Sequence, residues 1–533
     1  MEKTVEKLKS LFAKSGVRWL LGYLFILFCG VGVVYYWRVA YGFADLSPWV
    51  ATGVACGGFS AVYLLVFLIA HFVKQNLALK ASLLILLAGL CFVFANPPLQ
   101  APDETMHFLR AYSLGSGNFA FDQQEDYPDD VDLLVARFPG YYNSAIIGTG
   151  QGTMADGFRR YFAGPAEGET IPGAATLVQQ VVPYVTQAPL VALARVLGGG
   201  ALAAMYAARI GNLLGYAVLC YFALRVMKRF LPILIALAIS PIALFTAASC
   251  SADGMLLGLT WLFIAFCFGG TLSRGKAAAL AVSFGLIVFA KYTPLALLPL
   301  VALIPFEEKR LKNRRITPAK QRWILVAVCL VGAGVIYLLL SMYTSFASNY
   351  GALPYADSGV RPADQLKFMF SNPPRYFAVF LYSLYRDKAN LFSTGTFGWM
   401  DMVVPFINYF TPLVLLFSAA LSALEGAREE RRTGWVAGLS AFLLYAFTYA
   451  GMYLTSTPFS LPEINGVQSR YLLGAFFLLL VLAAILIGRT MALQYLREVL
   501  PQKTPPAWRM LHLAFCYALL SALLLFQSYY IGP

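Results

Sequence analysis

Stretches of about twenty apolar residues recur along this chain, and no other feature limits its fold so severely. They lie at roughly 19–36, 49–73, 81–95, 200–226, 230–248, 254–271, 323–345, 402–422, 433–453, 470–488 and 510–530. A run of that length matches the hydrocarbon thickness of a bilayer. With 59% hydrophobic and only 12% charged residues among 533, the composition excludes an ordinary soluble domain, in which about a quarter of residues are charged. A twelfth apolar region, "AAALAVSFGLIVFAKYTPLALLPLVALIP" at 277–305, is interrupted by Lys291 and Pro294. It reads as two short helices meeting at "KYTP". The expected architecture is all-α and polytopic, with about thirteen spans.

The net charge of +14 is a signal of topology. Lys and Arg concentrate in alternate connections, above all "EEKRLKNRRITPAKQR" at 307–322, as the positive-inside rule requires of cytosolic segments. Nucleic-acid binding is accordingly discounted. The opening "MEKTVEKLKSLFAKSGVRW" is basic and amphipathic without a small-residue cleavage site, so it is expected to be an uncleaved cytosolic surface helix. The eight cysteines sit in or beside apolar runs without CxxC pairs or Cys/His clusters. They imply neither a disulfide framework nor a zinc site.

This topology leaves residues 96–199 and 346–401 outside the cell. Both regions mix aromatic, Pro, Gly and charged residues, too irregular to face lipid bare. Short interfacial helices are expected there, including "YVTQAPLVALARVLG" at 184–198 and "PRYFAVFLYSLYRDK" at 374–388. No Gly-rich phosphate loop or large cytosolic domain offers a nucleotide-sugar site.

The first external region begins with "FANPPLQAPDETMHFLRAYSLGSG", 94–117. Pro102 suits the first turn of a helix running from Asp103 to Leu114 and stopping at Gly115. On such a helix Asp103, His107 and Arg110 share a face, with Glu104 about 100° round. Acids in a first turn also stabilise a helix by about 0.3–1 kcal/mol each, which is the structural alternative. At a membrane rim, however, a fixed carboxylate is a candidate general base for an incoming hydroxyl. The helix N-terminus favours its ionised form, which weakens the base and keeps it ready.

"PPLQAPDETMHFLRAY", "VVPYVTQAPLVALARVLGGGALAAMYAARIGNLL", "LAISPIALFTAASCSADGM", "AKYTPLALLPL", "GTFGWMDMVVP" and "INGVQSRYLL" follow in an order that resembles a bacterial membrane-protein family, domain of unknown function 2142. The resemblance covers about 85–490 and is most specific at "PDE...H". That family in turn resembles the GT-C membrane glycosyltransferases. The implied protein is a multi-pass enzyme of the bacterial cytoplasmic (inner) membrane, with a cytosolic N-terminus and an extracytoplasmic active site. It would transfer a sugar from a polyprenyl-phosphate donor to a glycan or lipid-linked acceptor with inversion. GT-C enzymes usually present their acidic loop after the first span; here two spans precede it. Residues 1–80 are therefore taken as an addition, 81–490 as the core, and 491–533 as a cytosolic loop and last span.

Such chemistry needs a base, cations for phosphate and a surface for sugar. Asp103 is the preferred base and Glu104 the alternative; either acid could instead bind a metal, as in some GT-C enzymes, although no cofactor is indicated. His107 would orient the acid or contact acceptor, or be an ordinary hydrogen-bonded residue; Arg110 shares its face as a substrate contact. Lys291 is an ammonium between apolar half-helices and a phosphate candidate, unless it merely snorkels; Tyr292 would assist. Arg470 could grip phosphate bidentately or serve as an interfacial anchor, with Gln468 beside it suited to sugar hydroxyls. Arg209 would meet phosphate or pair structurally with Asp103, Glu104 or Asp253. Asp253 is equally a cap or a ligand. Trp399 and Asp401 form a sugar platform or an interfacial pair. The acidic run at 122–132 lacks EF-hand spacing and reads as solvated loop. Rival functions are an O-antigen-type polymerase or ligase and a flippase of a lipid-linked precursor; the flippase would need no external base.

Overall fold

The computed structural model describes residues 48–73, 76–119, 126–176, 181–291, 293–311, 314–347, 359–387, 395–425, 431–490 and 505–530, with Leu20, Tyr23, Leu24 and Leu27. The expected N-terminal amphipathic helix, most of the first apolar run, Tyr292 and nearly all of the 491–509 connection lie outside the described residues. Within them the chain is mostly helical, relieved by two small antiparallel hairpins, Lys309–Leu311 with Arg314–Ile316 and Thr396–Phe397 with Met402–Val403.

Among the described residues seven helices are long and apolar enough to cross a membrane: Leu77–Ala95, Ala201–Val226, Pro318–Leu339, Pro405–Leu424, Arg431–Ser456, Ser469–Gly488 and Pro506–Tyr530. At 1.5 Å per residue even the shortest extends about 28 Å. A further helix, Pro48–Phe72, covers the second apolar run. The Ala201–Val226 helix is central: Leu77–Ala95 packs on it from one side, and the sixteen-residue Asp253–Phe268 helix from another. Pro506–Tyr530 returns from the end of the chain to pack against Leu77–Ala95, closing the bundle.

One expected span takes a different form. Residues 230–248 form two short helices, Leu231–Ala238 and Pro241–Ala247, every residue from Pro232 to Cys250 being buried. Pro241 has no amide hydrogen and disfavours helical geometry at Ser240, whose backbone is extended at φ −62°, ψ 148°. Apolar all round, this segment fills the bundle interior against Pro405–Leu424 and Pro506–Tyr530. The 277–305 region does break at Lys291, giving the Arg274–Ala290 helix and a 3₁₀ segment, Thr293–Leu303, around Pro294 and Pro299.

The 96–199 region folds into short helices, Glu104–Gly115, Asp129–Arg137, Met154–Ala163 and Ala188–Val196. In the second region Pro373–Arg386 covers most of the anticipated 374–388 helix. The first region is seated on the bundle by close backbone contact. A methyl group on Gly211 would lie 2.3 Å from the Thr186 carbonyl oxygen and 2.8 Å from Gln187 Cα, so only glycine fits there.

A buried ion pair locks the start of this region. Glu104 and Arg209 are both 0% exposed. Arg209 donates through all five N–H bonds: Nε and Nη2 to the Glu104 carboxylate at 2.8 Å each, Nη1 to the Val93 and Asn96 carbonyls, and Nη2 to that of Pro97. The carboxylate also accepts the Cys250 and Ala101 amides at 2.8 and 3.0 Å. A bidentate pair with its remaining donors and acceptors filled is the arrangement in which two buried charges are tolerated. It corrects two expectations, since Glu104 is no general base, its oxygens being engaged and unreachable, and Arg209 has no donor left for phosphate; the anticipated alternative, a structural pair of Arg209 with Glu104, is what the structure shows.

The same lock decides the shape of "APDE". The Glu104 amide donates to the Ala101 carbonyl at 3.1 Å, with Asp103 at φ 59°, ψ 14° between them. Proline second and positive φ third is the pattern of a type II turn, and aspartate is among the few residues besides glycine that tolerate it. The helix thus starts at Glu104, and the expected Asp103–His107–Arg110 face is not formed. Asp103 is exposed, whereas Arg110 is 1% exposed and points into the protein.

Removing one partner of this pair strands a buried charge. Glu104→Gln is expected to cost about 3–5 kcal/mol, and Arg209→Lys, which cannot replace the fork, to lower thermal stability in the same direction. Unfolding followed in detergent should show both losses; an unchanged midpoint in either would contradict the role given to the pair.

Candidate functional site

Cations at the end of apolar helices need counter-ions, and the fold supplies one acid for two of them. Asp253, first residue of its helix, receives Lys291 Nζ on Oδ1 at 2.5 Å and lies with Oδ2 3.2 Å from Arg470 Nε. Tyr471 supports both cations. The Lys291 ammonium sits 4.2 Å and the Arg470 guanidinium 5.1 Å from its ring centre, attracted to the π face. Its hydroxyl accepts from Arg470 Nη2 at 3.2 Å. Lys291 ends the Arg274–Ala290 helix, and Arg470 lies in the single 3₁₀ turn Ser469–Leu472 that leads into Leu473–Gly488.

Arg470 is only 10% exposed, yet it is not saturated. Its Nε is buried without an aligned hydrogen bond despite the nearby Asp253 oxygen. A buried donor left unaligned is uncommon and calls for a ligand or a function.

Two cavities meet at this arginine. One is an open cleft of about 600 Å³, solvent-facing space included, lined by Leu256, Leu257, Ile287, Leu297 and Leu444 together with Thr246, Thr260 and Thr293, with Asp253, Lys291, Arg470 and Tyr471 at its charged side. The other, a shallower open cleft of about 370 Å³ with its solvent-facing space included, is lined by Pro102, Phe245, Gly398, Gln468, Ser469 and Arg470. Pro102 brings the Asp103 turn to its edge. The structure therefore unites Arg470, Gln468 and Lys291 with the vicinity of Asp103.

His107 connects the turn to this cluster. Half-buried, it shares a 2.5 Å hydrogen bond through Nδ1 with the Tyr184 hydroxyl. Burial lowers its proton affinity; Asp253 and Asp103 act against that, while Arg470 and Lys291 reinforce it. The net direction is downward, so the imidazole is held neutral. Burial raises the Tyr184 hydroxyl, which stays protonated.

Other candidates serve elsewhere. The Asp401 carboxylate accepts the Trp399 amide at 3.0 Å and the Ser144 amide at 3.1 Å, clipping the second region to the first. A methyl on Gly398, at φ +62°, would fall on that carboxylate. Asp401 is therefore a clasp, which corrects its place in a sugar platform. Trp399 lies against Tyr141, ring centres 4.8 Å apart, with its Nε1 buried and unpartnered. Arg110 is enclosed in the protein and cannot reach a substrate as expected, although its charge acts on Tyr184. Tyr184 and Tyr471 belong to the site although sequence reasoning had not selected them, and so does Asp253, which the sequence left open between cap and ligand. The available signal was Lys291 itself, since an ammonium in an apolar run needs an acid at the same level. Among the described residues no three His, Cys, Asp or Glu side chains come together to hold a metal ion.

Because the native state disfavours protonated His107, the unfolded chain binds more protons as pH falls below the ordinary histidine value of about 6.5. Stability should then decline on acidification through that range. Thermal unfolding at pH 7.5 and 5.5 should show a smaller difference for His107→Gln than for the parent; an equal or larger difference would place the titration elsewhere.

No curated protein and no solved structure matches this chain. A family model described as "predicted membrane protein", domain of unknown function 2142, matches residues 86–480, and the chain belongs to that family.

Proposed function

We propose that the protein is an integral membrane glycosyltransferase of the GT-C kind. It takes a sugar from a polyprenyl-phosphate donor and gives it, with inversion, to an extracytoplasmic glycan or lipid-linked acceptor. The observation that carries this reading is Arg470 as a wall common to both cavities. The apolar cavity suits an isoprenoid chain, and the cations at its side suit the phosphate. The second cavity, edged by Gln468 and the Asp103 turn, suits sugar and acceptor. The concentration of Lys and Arg in alternate connections supports an outward-facing site at a bacterial cytoplasmic membrane.

In this mechanism Asp103 accepts the proton of the acceptor hydroxyl as its oxygen bonds to the anomeric carbon. The bond from that carbon to the phosphate oxygen breaks, and the electron pair leaves with the lipid phosphate. Arg470 and Lys291 meet the charge that builds there, the use of fixed dipoles and ions that helps a transition state most. Neutral His107 donates or accepts beside the acid without competing for the proton.

The turn makes Asp103 unusually testable. Both Asn and Gly tolerate positive φ, so Asp103→Asn and Asp103→Gly remove the carboxylate without disturbing the backbone. Purified protein given a glycosyl polyprenyl phosphate and acceptor should release lipid phosphate, and both variants should lose about 10²–10⁴-fold in turnover at unchanged thermal stability. Transfer that survives both would remove Asp103 as the base. Lipid movement without transfer would favour a flippase.

A further inference from the structure

One carboxylate already occupies the place where two cations converge. Asp253 spans Lys291 and Arg470 with its two oxygens, at 2.5 and 3.2 Å, much as two oxygens of a phosphate would. It is not the helix-capping residue, for the N-cap position is Ala252 and Asp253 is the first residue of the helix proper. Its backbone is held in place. Its backbone begins the Asp253–Phe268 helix, and the next residue, Gly254, is pressed so closely on Asn212 that an added methyl would fall 2.6 Å from the amide nitrogen. The acid is anchored in the cavity wall by this backbone and by its two ion pairs.

The ion pairs set a local charge. Lys291, Arg470 and Asp253 together carry one net positive charge; the charge of Asp103 also reaches Arg470, but from an exposed turn where water screens it, and it is the same for either lipid. A sugar joined to a lipid through a single phosphate is a phosphodiester with one negative charge, which neutralises the set. A sugar joined through a diphosphate carries two and leaves an uncompensated charge beside Leu256, Leu257 and Leu297. Asp253 and Arg470 are 18% and 10% exposed and Lys291 40%, and beside such partly buried ions an unmatched charge is penalised more than in water.

We propose that Asp253 is a specificity-determining residue, admitting lipid-linked sugars joined through a phosphodiester and disfavouring those joined through a diphosphate. The proposal rests on the glycosyltransferase reading in that a lipid phosphate enters this cavity; what it adds is the residue that counts the charge.

The test compares binding of two fluorescent lipids, a glycosyl polyprenyl phosphate and the corresponding glycosyl polyprenyl diphosphate, to the full-length protein in detergent. The parent should prefer the phosphodiester by about tenfold or more, the scale of one charge in such a site. Asp253→Asn, with two uncompensated cations, should abolish or invert that preference. Because this variant could also loosen the site, the double substitution Asp253→Asn with Lys291→Gln is decisive: it restores a net charge of one and should restore the preference. Equal binding of both lipids by the parent, an unchanged ratio in Asp253→Asn, or a double variant that behaves like the single one would overturn the proposal. Charge selectivity as expected, without any sugar transfer, would instead overturn the glycosyltransferase reading and leave the role of Asp253 standing.

Discussion

The Glu104–Arg209 pair is the constraint on which the rest of the site is built. Two charges with no exposure would be ruinous alone, and they survive because every donor of one and both oxygens of the other are engaged. Those bonds reach four parts of the chain: the end of the Leu77–Ala95 helix, the middle of Ala201–Val226, the Ala101 amide and the Cys250 amide. The pair thereby fixes where the chain leaves the bundle and pins the turn that carries Asp103. Exposure of that aspartate follows from the burial of its neighbour. Two adjacent acids of the same chemistry acquire opposite fates because only one can face Arg209.

The second acid–base cluster follows a different logic. Asp253 is shared by two cations, neither fully satisfied, with an aromatic ring beneath both. The closed pair resembles a structural rivet, whereas the open cluster retains binding capacity, and the two cavities meet at the open one. Arg209, with every donor bonded, and Arg470, with Nε unaligned, show why a cation in an apolar setting is no guide to function until its donors have been followed to their acceptors.

Much of the fold was legible in the sequence because hydropathy over twenty residues is a strong signal. The expected runs at 200–226, 402–422 and 470–488 correspond closely to Ala201–Val226, Pro405–Leu424 and Ser469–Gly488. Residues 230–248 misled because a segment apolar on every side looks the same whether it faces lipid or fills a protein interior, though Pro241 marked the break. In the site, the ionisable residues stood out as costly; of their pairings, that of Arg209 with Glu104 was foreseen only as one among three acids, and those of Asp253 with Lys291 and Arg470 were not. Glu104 and Arg209 are 105 residues apart, Asp253 and Lys291 38, and Ser144 and Asp401 257. Neither periodicity nor spacing reports such contacts. Pro102 was ambiguous in kind, since proline fits both the first turn of a helix and the second position of a type II turn; the distant Arg209 decides between them.

The central claim is that Arg470 and Lys291 hold a lipid phosphate while Asp103 faces the carbon from which it departs. An experimentally determined structure of the protein in a lipid nanodisc with a glycosyl polyprenyl phosphate bound tests this directly. The account predicts the isoprenoid in the cavity of Leu256, Ile287 and Leu297, the phosphate against Arg470 and Lys291, and the sugar on the Pro102–Gln468 side within reach of the Asp103 turn. A lipid seated elsewhere, with both cavities empty, would contradict it.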